Sequence, residues 1–126
     1  MKVIFTNGCF DILHRGHVEL LKYCSSLGFV IVGLNSDKSV KRLKGDNRPF
    51  FSEEDRKFVL DSCKYVNGVV LFEEDTPYNL IKKIKPDIIV KGGDYKPEDV
   101  AGHDIAKVKI FEYIDGYSTT NILEKE

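Results

Sequence analysis

Five short runs of continuous apolar, β-favouring residues punctuate this chain, and each gives way to a polar or glycine-bearing segment: VIF ending at 5, FVIVGL at 29–34, VVLF at 69–72, DIIVK at 87–91 and VKIFEYI at 108–114. Runs that are apolar without alternating are buried on both faces, as in parallel strands covered by helices. Between them the apolar spacing becomes helical. Val18, Leu20, Leu21 and Cys24 make one stripe over 17–27, and Phe58, Val59 and Cys63 make a second over 52–63. Ser52 followed by Asp55 resembles a capping box, and Thr76-Pro77 marks the start of a helix through Ile84. The expected fold is α/β: one Rossmann-like domain over 1–126, with about five parallel strands and helices on both faces.

In such sheets ligands bind beyond the carboxyl ends of the strands. The segments 8–17, 35–44, 92–95 and 118–121 each follow a strand end and are therefore expected to converge on one crevice. The first reads TNGCFDILHRGH, Thr6 to His17. Gly8 is expected to let the backbone turn, and Gly16 to let the next helix begin close to a ligand. His14 and His17, three apart at the mouth of that helix, would face the same point as its unpaired first-turn N–H groups. That is a seat for phosphate, on which charge grows as pyrophosphate departs. A zinc site built on Cys9 and the histidines lacks a CxxC pair and a fourth ligand.

The stretch 38–48 carries Lys38, Lys41, Arg42, Lys44 and Arg48 and is expected to be a loop able to close over substrate. Clustered cations are commonly a solvated face, but here they would stand opposite the phosphate turn, where two anionic reactants must meet. Arg48 and Arg56 lie near the acidic run Glu53 to Asp55, with which either would pair. A second glycine turn, Gly92-Gly93, leaves the fourth strand, and Ser118, Thr119 and Thr120 would cap a last helix.

TNGCFDILHRGH resembles the H-x-G-H signature of the nucleotidyltransferase superfamily, whose cytidylyltransferase branch reads G-x-F-D-x-x-H-x-G-H. NSDKSVKRLKGDNRP, FEEDTP, PDIIVKGGDYKPEDVAG and DGYSTTNIL resemble, more specifically, the adenylyltransferase half of the bacterial ADP-heptose synthases, and together the likeness covers nearly the whole chain. It implies transfer of AMP from ATP to a heptose-like sugar 1-phosphate, giving an ADP-sugar and pyrophosphate. His14, His17 and Lys44 would be catalytic. Thr6, Gly8, Cys9, Phe10, Gly16, Gly92, Asp94, Ser118, Thr119 and Thr120 would hold the nucleotide, with Lys91 beside them. Asp11, Lys41, Lys44 and Arg48 would hold the acceptor. Where the glycerol-3-phosphate cytidylyltransferases carry an arginine, this chain has Tyr113 and Asp115, and Arg15 replaces the small residue usual in heptose enzymes. A CTP-dependent enzyme acting on glycerol 3-phosphate or a related alcohol phosphate, and a nucleotide-binding regulator without turnover, stay open as alternatives.

A net charge of −1 gives no general attraction to nucleic acid or to an anionic membrane, so neither is an expected partner. No segment approaches a membrane span, MKVIFTNG does not read as a leader, and three widely spaced cysteines suit reduced thiols, so a cytoplasmic location is expected. Mg2+ is expected to arrive with the triphosphate, with no dedicated metal site. The resemblance further implies a homodimer, and an enzyme separate from the sugar kinase to which such domains are often fused.

Overall fold

The computed structural model describes residues 1–112. The strands are β1 (Val3–Gly8), β2 (Phe29–Asn35), β3 (Gly68–Phe72), β4 (Ile88–Gly92) and β5 (Lys107–Phe111), all parallel, in the spatial order β3-β2-β1-β4-β5. The helices are α1 (Arg15–Leu27), α2 (Asp37–Lys44), α3 (Glu53–Asp61) and α4 (Tyr78–Ile84), with a 3-10 turn over Pro97–Asp99. Alternation along β1 divides the core: Ile4 packs with Leu20, Leu21, Cys24 and Leu60 of α1 and α3, while Phe5 packs with Ile81 and Val100 on the opposite face. Helices therefore cover both faces. The chain steps outward from β1 to β3 and then returns to lay β4 against β1, so the order reverses between those two strands. A crevice opens at such a reversal.

Several local expectations are corrected. β1 continues through Gly8, and α1 begins at Arg15 with His14 as its N-cap, two residues before the expected start. Gly8 is not the turn's left-handed residue; Phe10 (φ 46°) and Ile12 (φ 56°) are. Gly8 instead makes room, since a Cβ there would lie 3.2 Å from the Phe10 ring.

The basic stretch is not a loop. Ser36 Oγ accepts from Ser39 N at 3.2 Å, Asp37 sits in the first turn of α2, and Lys41, Arg42 and Lys44 fill its last turn, matching the helix dipole at both ends. Gly45, at φ 104°, stops it. In α3, Ser52 caps Asp55 N as expected, but the helix is rotated from its expected face: Arg56 and Leu60 point inward, and Phe58 is 74% exposed. The bonds of Arg56, described below, set that rotation. The last strand begins one residue early, and its expected end at 114 lies outside the described residues.

Candidate active site

A cavity of about 480 Å³ opens at the reversal between β1 and β4. Its floor is the β1–α1 turn, with Gly8, Cys9, Phe10, His14 and His17 in the wall. The two histidines close the N-terminus of α1 reciprocally: Gly16 N donates to His14 Nδ1 at 3.1 Å, and His14 N donates to His17 Nδ1 at 3.2 Å. Their rings stack with centroids 3.8 Å apart. Because each Nδ1 accepts a backbone proton, the neutral form of each ring carries its own proton on Nε2. Burial, with smaller contributions from His14 and Lys44 that outweigh the opposing Asp11, pushes the His17 pKa down to about 3. Burial lowers that of His14 as well. At neutral pH the pair is uncharged, a set of N–H donors rather than of cations.

The turn is lashed from behind. Asp11 is buried, with Oδ2 accepting from Phe50 N at 2.7 Å and from Arg48 Nε at 3.2 Å, and Oδ1 accepting from Phe51 N at 3.0 Å. Arg56, only 2% exposed, donates to Phe51 O at 3.0 Å, to Cys9 O at 2.8 Å, to Asn35 O at 2.9 Å and to Asp37 Oδ1 at 2.9 Å. One guanidinium thus fixes the β1–α1 turn, the end of β2, the start of α2 and the segment before α3. Three carbonyls with one carboxylate satisfy a planar fork of five donors far better than an ammonium could.

Comparisons with known proteins bear on the family and the fold. The family model described as cytidylyltransferase-like matches residues 5–125. The chain belongs to that family. It is 59% identical over 98% of its length to the "Bifunctional protein HldE" of a Nitratiruptor species, and 56% identical over the same share to that of Helicobacter pylori. In both cases it spans 27% of the relative's length, about a quarter. The crystal structure of the lipopolysaccharide core biosynthesis protein from Thermoplasma volcanium GSS1 superimposes with a TM-score of 0.73 at 31% identity, over 94% of this chain and 99% of that one.

Of the residues that the family resemblance nominated, the structure brings Gly8, Cys9, Phe10, Asp11, His14, His17, Lys44, Arg48, Lys91 and Gly92 to the cavity wall. Others are not in it. Thr6 is buried within β1, Gly16 is buried in the first turn of α1, and Asp94 and Lys41 are exposed outside the wall. Ser118, Thr119 and Thr120, like Tyr113 and Asp115, lie outside the described residues.

Two assignments change in character. The carboxylate of Asp11 accepts from Arg48, Phe50 and Phe51, and Arg48 is its ion-pair partner. Neither Arg48 nor Arg56 pairs with Glu53 to Asp55; their anions are Asp11 and Asp37. Burial pushes the Cys9 thiol up, against the pull of Lys44, Arg56 and Arg48, which leaves it a wall residue rather than a nucleophile.

Sequence reasoning missed the wall that follows β3, Asp75 to Pro77, and the one built by Asp99 to Ala101. The signal for the first was present: FEEDTP follows a strand's carboxyl end as surely as the other motifs do. Asp99 and its neighbours reach the site through the 3-10 turn over Pro97–Asp99, which no periodicity marks.

Proposed function

We propose that this chain is a nucleotidyltransferase that moves AMP from ATP to a sugar 1-phosphate of heptose type, releasing pyrophosphate. One observation carries the reading: a neutral, reciprocally bonded histidine pair at a helix N-terminus, in a cavity that also holds Lys44, a cation with no ion pair or side-chain hydrogen bond among the described residues. A phosphate oxygen of the acceptor attacks the α-phosphorus in line, and the bond to the β-phosphate oxygen breaks. The acceptor is already an anionic nucleophile, so no general base is required. His14 and His17 donate from Nε2 to phosphate oxygens as their charge grows, and Lys44 screens the repulsion between the reactants. The braced turn keeps these donors in position before substrate arrives.

The choice of ATP and a sugar 1-phosphate is supported by the likeness of VKGGDYKPEDVAG and STTNI to adenylyltransferases of ADP-heptose synthesis, and by the role in lipopolysaccharide core biosynthesis that the Thermoplasma protein's name carries. The substrate is MgATP. The triphosphate would bring its own Mg2+, which keeps much of its water shell. A reaction that consumes ATP belongs in the cytoplasm, and no helix among the described residues is long and apolar enough to cross a membrane. A homodimer completes the proposal: Phe50, Phe51, Phe58 and Val59 are exposed, and the last three border a second, largely apolar cavity of about 290 Å³.

Pyrophosphate release measured for ATP, CTP, GTP and UTP against a panel of sugar phosphates and glycerol 3-phosphate tests the reading. ATP with a sugar 1-phosphate is the expected pair. Preference for CTP with glycerol 3-phosphate would make the chain a cytidylyltransferase, and tight nucleotide binding without turnover would make it a regulator. Light scattering at micromolar concentration tests the dimer.

A further inference from the structure

Lys91 is the last lysine of β4 and stands in the cavity wall next to Gly92. It is half-buried, and among the described residues no carboxylate lies within ion-pairing distance and no hydrogen bond reaches its ammonium group. Its ammonium group lies over the ring of Tyr95, whose centroid is 4.9 Å from Nζ. Burying a cation without an anion is unfavourable, and here burial lowers the pKa of Lys91, against a small opposing pull from Cys9. A cation kept at that cost in a cavity wall has its counter-charge in the ligand.

Elimination among the other cations points the same way. Among the described residues, three lysine or arginine side chains line the cavity: Lys44, Arg48 and Lys91. Arg48 is held to Asp11 through Nε, which leaves the two lysines as the cations of this set without an anion among the described residues. They come from opposite flanks of the phosphate turn, Lys44 from the helix that follows β2 and Lys91 from β4, and β2 and β4 are the two neighbours of β1. A reaction that brings two phosphorylated molecules together across β1 needs positive charge on both flanks.

We infer that Lys91 receives a phosphate group on the β4 side of the cavity, as the counterpart of Lys44 on the β2 side, with the Tyr95 ring beside its ammonium group. This rests on the phosphate-transfer reading of the same cavity. The shared chemistry is a phosphate monoester or anhydride, contributed either by the nucleotide or by the acceptor.

The test uses the full chain with Lys91→Met, which keeps an unbranched stem, and Lys91→Arg, which keeps a charge; Lys91→Gln replaces the first if circular dichroism shows it unfolded. Calorimetry with MgATP, adenosine and mannose 1-phosphate reads binding without turnover. At least a fivefold loss for MgATP or for mannose 1-phosphate is expected in Lys91→Met, with adenosine unchanged and partial recovery in Lys91→Arg. Loss confined to MgATP assigns the phosphate to the nucleotide, and loss confined to mannose 1-phosphate assigns it to the acceptor. A loss below fivefold for both, an equal loss for adenosine, or a wild type that binds neither phosphorylated probe overturns the inference. Should the wild type bind MgATP, lose it in Lys91→Met, and yet release no pyrophosphate with any acceptor, the transfer reading fails while the role of Lys91 stands.

Discussion

Two groups of cations lie in and behind the wall of one cavity and differ in their partners. In the brace behind the phosphate turn, Arg48 and Arg56 meet carboxylates and backbone carbonyls at hydrogen-bond distance, and Arg56 is almost wholly shielded from water. On the flanks, Lys44 and Lys91 line the same cavity without an anion among the described residues. The difference lies in geometry as much as in charge. A guanidinium satisfies several fixed acceptors at once and so suits a permanent joint, whereas an ammonium on a flexible stem suits a partner that arrives and leaves. Proximity to the site does not by itself tell a substrate-binding cation from a structural one; the partner atoms do.

The sharpest way to break this contrast is to remove a charge from each group and compare stability with rate. Arg56→Met should show the largest effect, about 3–5 kcal/mol of lost stability in urea unfolding, because Asp37 and the carbonyls of Cys9, Asn35 and Phe51 lose their donor. A stable, active Arg56→Met protein would mean that the brace is ornamental. Next comes His17→Ala, expected to raise the barrier by ~2.7–4 kcal/mol, a hundred- to thousandfold loss in kcat, with a smaller loss of nucleotide affinity by titration. Equal losses in rate and affinity would reduce the histidines to binding residues.

Lys44→Ala should be the mirror image of Arg56→Met: stability within about 0.5 kcal/mol of wild type, and kcat/KM lower by roughly ten- to a hundredfold. Near-normal turnover would return Lys44 to the solvated surface. The smallest effect at any one step is a pH slope. With the His17 pKa at about 3 when folded and near 6.5 when unfolded, only the unfolded chain takes up this proton between those values. Stability should therefore fall as pH drops through 6.5 toward 3, by at most about 1.4 kcal/mol per pH unit from this group, and this part of the slope should vanish in His17→Gln. Parallel stability profiles for wild type and variant from pH 7 to pH 4 would show that the ring is not desolvated.

The sheet was legible in the residue pattern, because continuous apolar runs separated by helical stripes have few other solutions. So was the histidine pair, because three-residue spacing at a helix start leaves their relation little freedom. The caps Ser36 and Ser52 were written there too, although the first was masked by the conspicuous basic run that follows it. Which charges pair was settled by folding alone. Asp11 and Arg48 are 37 positions apart, and Cys9 and Arg56 are 47 apart. Local pattern carries no record of such distances, so Arg56 reads as a partner of the neighbouring acidic run, and Phe58 as core, until the chain closes. The rotation of α3 follows from the same cause: a buried guanidinium with several fixed acceptors overrides an apolar stripe, since leaving those carbonyls without donors costs more than exposing one phenylalanine. The division of the cations into joints and binding groups belongs to that closure.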